Sequence, residues 1–115
     1  IIGRGNAVWS FVHIDDAVAA TVASLGAEPG VYNVVDDDPL PVSEWLPAFA
    51  RWLDAPQPLR VSAEDALKAG GEGAVYYHTR LTGASNSRAK AQLGFAPRPL
   101  LWRGVPRVVV DGSRC

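Results

Sequence analysis

Apolar and polar positions along this chain fall into short blocks whose period changes several times. From Trp9 to Ile14 both alternating sets, Trp9/Phe11/His13 and Ser10/Val12/Ile14, are largely apolar, which suits a strand covered on two faces. Asp15 and Asp16 follow where a helix N-cap and first turn belong, accepting from unpaired backbone N–H groups and complementing the positive helix end. The predicted helix runs to about Leu25, with Val18, Val22 and Leu25 on one buried face and Gly26 as its C-cap. Residues 31–35, Val-Tyr-Asn-Val-Val, read as a second short strand bounded by Pro29-Gly30 and a turn over 36–39. Strand, helix, strand is an α/β pattern.

Ser43 is the expected N-cap of a helix over 44–54, with Pro47 in its first turn. Trp45, Leu46, Phe49, Trp52 and Leu53 give that helix a wide apolar stripe, a face that has to be covered. Residues 59–61 read as a short extended piece before an N-capping Ser62. A helix over 63–69 is then broken by Gly70-Gly71-Glu72-Gly73. Residues 74–81 read as helical, and a last helix over 86–93 is capped by Gly94. Beyond it, three prolines before position 107 prevent regular structure, and 108–110 is strand-like. No repeat, low-complexity tract or linker interrupts the chain, which divides into a folded portion, 1–102, and an irregular tail, 103–115.

At 115 residues there is room for one core. A formal net charge of -1 supplies no electrostatic footprint for nucleic acid or an acidic membrane. No apolar run approaches the roughly 20 residues of a membrane span, and the first residues lack the pattern of a signal peptide, so the cytoplasm is the expected compartment. The single cysteine, Cys115, excludes an internal disulfide. A chain without methionine that begins at Ile1 reads as a piece of a longer protein.

His13 with Asp15 and Asp16 invites a catalytic reading, since positions 13 and 15 share one side of a strand, but no Ser or Cys nucleophile is near in sequence. A buried histidine beside capping aspartates accounts for the same spacing. Asp36, Asp37 and Asp38 lack the alternating acids, central glycine and distal glutamate of a calcium loop, and His13 and His78 belong to no ligand spacing, so no metal is expected. Gly70-Gly71-Glu72-Gly73 follows a helix, whereas a dinucleotide turn follows a strand and opens a helix. Tyr76 and Tyr77, with His78 and Arg80, fit the lining of a pocket for an anionic or hydroxylated ligand; one core and one exposed tyrosine fit equally well.

Three stretches taken together, "SFVHIDDAVAATVASL", "GVYNVVDDDPLPVSEWLPAFARWL" and "GASNSRAKAQLGFAPR", resemble the C-terminal part of the NAD-dependent epimerase/dehydratase branch of the extended short-chain dehydrogenases/reductases. The resemblance implies a Rossmann-type parallel sheet, NAD or NADP bound by an N-terminal half, and a smaller substrate-binding region to which most of these residues belong. It also implies that the Asp15-Asp16 joint is structural and that the chemistry belongs to a Tyr-x-x-x-Lys pair. That pair is missing: Tyr32, Tyr76 and Tyr77 are followed four residues on by Asp36, Arg80 and Leu81. The glycine fingerprint is missing too. The expectation is therefore no catalytic residue and no cofactor in this chain by itself.

By the same resemblance, Trp9, Ser10, Tyr77, Arg80 and Asn86 border a pocket for a small carbonyl or sugar-like substrate, and the parent forms a homodimer. The absence of an arginine near Trp9 and Ser10 argues against a nucleotide-sugar diphosphate. The competing expectation is a stand-alone, non-catalytic binding module that associates through the Trp45 to Leu53 face.

Overall fold

A computed structural model describes residues 1–100 and Trp102. Its elements run β1 (Val8–Trp9), α1 (Ile14–Ser24), β2 (Leu40–Pro41), α2 (Val42–Trp52), α3 (Ala63–Thr79) and α4 (Ser87–Leu93). This is a small α/β arrangement. The two strands pair antiparallel, Val8 opposite Pro41 and Trp9 opposite Leu40. Isolated parallel bridges join Ile2 to Val61 and Val8 to Thr82. No helix among the described residues is long and apolar enough to cross a membrane.

Several boundaries differ from the sequence expectation. The strand placed over 9–14 is only Val8–Trp9, because Ile14 already begins α1. The cap is His13 rather than an aspartate: its Nδ1 accepts the backbone N–H of Asp15 at 3.1 Å, leaving Asp15 and Asp16 inside the first turn. The C-cap is Leu25, one residue before the expected glycine. Helix α2 starts two residues early, behind Pro41 and without a side-chain cap, so Pro47 lies in the second turn and the Ser43 carbonyl lacks its usual i+4 donor. In α3 the expected break is confined to Gly71, whose φ of 76° kinks the helix before it resumes. Ser62 caps α3 as expected, accepting from Asp65 N–H at 3.0 Å, and Gly94 closes α4 in the left-handed conformation. The strand-like stretch 108–110, Pro106 and Cys115 lie outside the described residues.

Two apolar clusters hold the fold together. In the first, Ile1, Ala7, Val42 and Trp45 are buried, with Trp9, Phe11, Leu46, Phe49 and Trp102 packed around them. Trp45, Leu46 and Phe49 of the apolar α2 face are therefore covered within the chain, while Leu53 at its end is exposed. In the second, Ala20, Ala89 and Phe95 join α1 to α4, with Val12, Tyr32 and Val34 against them. Here the helix reading is overturned. The face of α1 turned inward carries Asp16 and Ala20, while Val18, Val22 and Leu25 are 56%, 63% and 87% exposed. Small side chains let α4 approach closely, and the larger aliphatic ones point away.

Residues 31–35 also depart from expectation. Tyr32 and Val34 are half-buried while Val31 and Asn33 are exposed, the period-two alternation of a strand. Yet the stretch forms no ladder among the described residues. A strand needs a hydrogen-bonding neighbour, and none is supplied here.

Candidate functional site

The site residues are positioned by β1 and by the loop after α3. Because side chains alternate along an extended chain, Trp9 at the end of β1 and Ser10 just after it point to opposite sides. Trp9 donates its Nε1–H to the Tyr77 carbonyl at 2.6 Å, and its ring meets that of Tyr77 edge-on at 6.2 Å. Ser10 Oγ accepts the backbone N–H of Ala84 at 2.9 Å. Gly83, with φ of 75°, passes close beneath it; a Cβ there would lie 3.1 Å from Val8 Cγ1 and 3.3 Å from Ser10 Oγ.

Asn86 occupies the cap position of α4 without capping it. Its side-chain amide donates to the Val35 carbonyl at 2.9 Å and to Asp37 Oδ1 at 2.8 Å. Lys90 Nζ reaches the same carboxylate at 2.6 Å. The Asn86 amide and then Lys90 hold the Asp37 carboxyl below its ordinary pKa. The result is an open cleft of about 400 Å³, walled by the 82–86 loop on one side and by Asp36, Asp37 and Pro39 on the other.

Tyr77 lines neither that cleft nor the one that holds Arg80. Arg80 lines a separate cleft of about 410 Å³ with Leu67, Glu72, Val75 and Tyr76. Tyr77 is half-exposed against Trp9. Of the five residues, Trp9 is thus joined to Tyr77 and Ser10 to the loop that leads to Asn86, while Arg80 stands apart. Among the described residues, no group of three or more His, Cys, Asp or Glu is arranged to hold a metal ion.

One part of the structure that sequence reasoning missed is the clamp between α1 and the segment after α4. Asp16 is buried; its Oδ2 accepts the Arg98 backbone N–H at 2.8 Å and its Oδ1 the Arg98 Nε–H at 3.0 Å. These two residues are 82 positions apart. Periodicity carried no signal for it, because Asp16 shares its helix face with Ala20, opposite the aliphatic row of Val18, Val22 and Leu25. The Arg98 backbone N–H, with support from its guanidinium, holds the Asp16 carboxyl below the ordinary aspartate value of 3.8.

A carboxylate with a lowered folded pKa contributes stability above the unfolded value and loses it as pH falls through the folded one. Asp16→Asn is therefore expected to melt about 5 °C below the native chain at pH 7. The gap should close as pH drops below 3.8. Thermal melts by circular dichroism across that range check this; a gap that widens with acid contradicts it.

A dinucleotide cradle needs a glycine turn between a strand and a helix N-terminus. Gly71 lies inside α3, and Gly3 and Gly5 precede β1 rather than a helix. None of these three glycines therefore forms such a turn.

The fold resembles part of a UDP-glucuronic acid 4-epimerase from Bacillus cereus solved in complex with NAD, with a TM-score of 0.58 at 19% identity. That superposition covers 90% of this chain and 29% of the epimerase. In sequence, the chain is similar to a Streptomyces protein named 3-diazoavenalumate denitrifying reductase, 42% identical over 100 residues. Those residues are 86% of this chain and 33% of the reductase, so the chain spans about a third of its relative. No family model matches it.

Proposed function

We propose that this chain is the substrate-side, C-terminal portion of a cytoplasmic NAD(P)-dependent reductase of the extended short-chain dehydrogenase/reductase type, inactive on its own. The observation that carries this is the 42% identity to a reductase over nearly the whole chain. It favours a reductase over an epimerase, since the epimerase likeness at 19% identity supports the fold alone. The cofactor belongs to polypeptide outside this third. The substrate is a small molecule, with an aromatic diazo acid as the first candidate, as in the name of the relative.

In this reading Trp9, Ser10 and Asn86 are positioning residues. Their polar atoms are already engaged with Tyr77, Ala84, Val35 and Asp37, and they hold the walls of the clefts. Tyr77 and Arg80 are exposed, and Arg80 makes no ion pair among the described residues, so these two are available to a ligand. In the Arg80 cleft the guanidinium shares the wall with the Tyr76 ring, a pairing that suits a planar carboxylate.

The test places this chain in the Streptomyces reductase in exchange for its matching third. The chimera is expected to bind reduced nicotinamide cofactor saturably and to oxidise it only when a diazo-aromatic acid is present; the 115-residue chain alone should do neither. Arg80→Ala in the chimera should raise KM about tenfold with little change in kcat. Cofactor binding without oxidation on diazo, carbonyl or sugar substrates overturns the reading.

A further inference from the structure

Helix α3 consists of two helical segments joined at Gly71, whose φ of 76° and ψ of -178° lie outside the helical region. In a continuous helix Glu72 would stand one turn beyond Lys68, within reach of an ion pair. The kink breaks that row, and Lys68 Nζ pairs with Glu64 Oε1 at 3.1 Å. Glu72 makes no ion pair or side-chain hydrogen bond among the described residues, and neither does Arg80. Both are exposed.

Beyond the kink the helix is regular, so Glu72, Tyr76 and Arg80, spaced by four, share one face. The Arg80 backbone N–H donates to the Tyr76 carbonyl at 2.8 Å, which keeps it in register at the helix end. Leu67, from the segment before the kink, and Val75 complete a cleft of about 410 Å³ with these three. That is the size of a small-molecule site. Along its wall a carboxylate and a guanidinium are carried by positions two helical turns, about 12 Å, apart. This exceeds the Debye length of about 8 Å at physiological salt, so the two charges barely offset one another.

We infer that the cleft opened by the Gly71 kink binds an elongated planar zwitterion, an aromatic carboxylic acid whose far end carries a cationic nitrogen group. The carboxylate meets the Arg80 guanidinium, whose planar fork matches it in a bidentate pair. The ring lies along Tyr76, with Leu67 and Val75 beside it, and the cation faces Glu72. An anionic or apolar end would leave the Glu72 carboxylate repelled or unmatched, whereas a cation complements it. The inference deepens the reading proposed above and rests on it for the carboxylate end; Glu72 and the required positive charge are new.

Titrations followed by amide chemical shifts test this on the 115-residue chain, or on the reductase chimera if the chain alone gives no dispersed spectrum. 4-(Aminomethyl)cinnamate is expected to bind about fivefold more tightly than 4-methylcinnamate, which lacks the cation, the upper range for an exposed ion pair. Its shifts should fall between residues 67 and 80. Glu72→Gln should erase the preference while leaving 4-methylcinnamate within twofold, and Arg80→Ala should weaken both acids. Glu72→Lys should reverse the selectivity and favour 4-carboxycinnamate. Equal affinities for the two acids, a preference that survives Glu72→Gln, shifts elsewhere in the chain or no saturable binding overturns the inference.

None of these readouts requires turnover. A Glu72-dependent preference in a chimera that oxidises no cofactor leaves the zwitterion site standing and removes the reductase reading. Cofactor oxidation with a KM that Glu72→Gln does not move retains that reading and overturns the inference.

Discussion

Trp45→Ala is expected to cost about 3–5 kcal/mol of folding stability, the range for truncating a buried large aromatic. Trp45 is 9% exposed and stands at the centre of the first apolar cluster. Its ring centroid lies 4.8 Å from that of Trp9, 5.2 Å from Phe11, 6.3 Å from Trp102 and 6.5 Å from Phe49. Truncation removes dispersion contacts with all four at once and leaves a void that β1 and α2 fill only by moving. A domain whose total stability is of order 5–15 kcal/mol does not absorb such a loss easily.

Trp45→Phe separates packing from polarity. The indole Nε1 is buried without a hydrogen-bond partner among the described residues. Removing it therefore leaves no group newly unpaired, and the loss should be about 1 kcal/mol. Urea unfolding followed by circular dichroism reads both variants. A Trp45→Ala loss no larger than that of Trp45→Phe would show that the aromatic cluster does not hold the fold.

Gly5→Ala is the second large effect, about 2–4 kcal/mol, and Gly3→Ala is its control at about 1 kcal/mol. Both glycines have positive φ, 57° at Gly3 and 65° at Gly5, where a Cβ crowds the following carbonyl. Their surroundings differ. A Cβ on Gly3 meets only Thr79 Cγ2 at 3.9 Å, whereas one on Gly5 would fall 2.7 Å from Ile1 Cγ2 and 3.0 Å from the Ser43 backbone nitrogen.

That nitrogen cannot retreat freely, because it donates to the Gly5 carbonyl at 3.0 Å in the first turn of α2. Relief of the clash therefore pulls the start of α2 away from the strand pair. The difference between the two variants, read by the same urea titration, isolates the steric contribution from the backbone one. Equal losses would mean that the approach of Gly5 to Ser43 is not tight in solution.

How much of this was legible in the chain itself depends on the range over which each feature is determined. Helices over the regions of α1, α2 and α4, the Ser62 cap, the Gly94 cap and the disturbance at the glycine-rich stretch were all readable, because they depend on residues within a few positions of one another. The α2 stripe was readable as a face needing cover, since a row of large aromatics at helical spacing has no other stable environment.

Other features required the tertiary structure. Which face of α1 turns inward was decided by α4 and Arg98, which select Asp16 and Ala20 for close approach and leave the larger aliphatic residues outside; periodicity marks an apolar face but not the presence of a partner for it. Whether residues 31–35 become a strand was likewise undecidable locally, because strand pairing depends on a neighbour remote in sequence. That Arg80 lines a cleft with Tyr76 rather than with Tyr77 was likewise not legible from spacing. Local chemistry in the sequence determined where elements begin and end, and contacts between remote residues decided which surfaces meet, since burial depends on the whole set of neighbours and not on spacing.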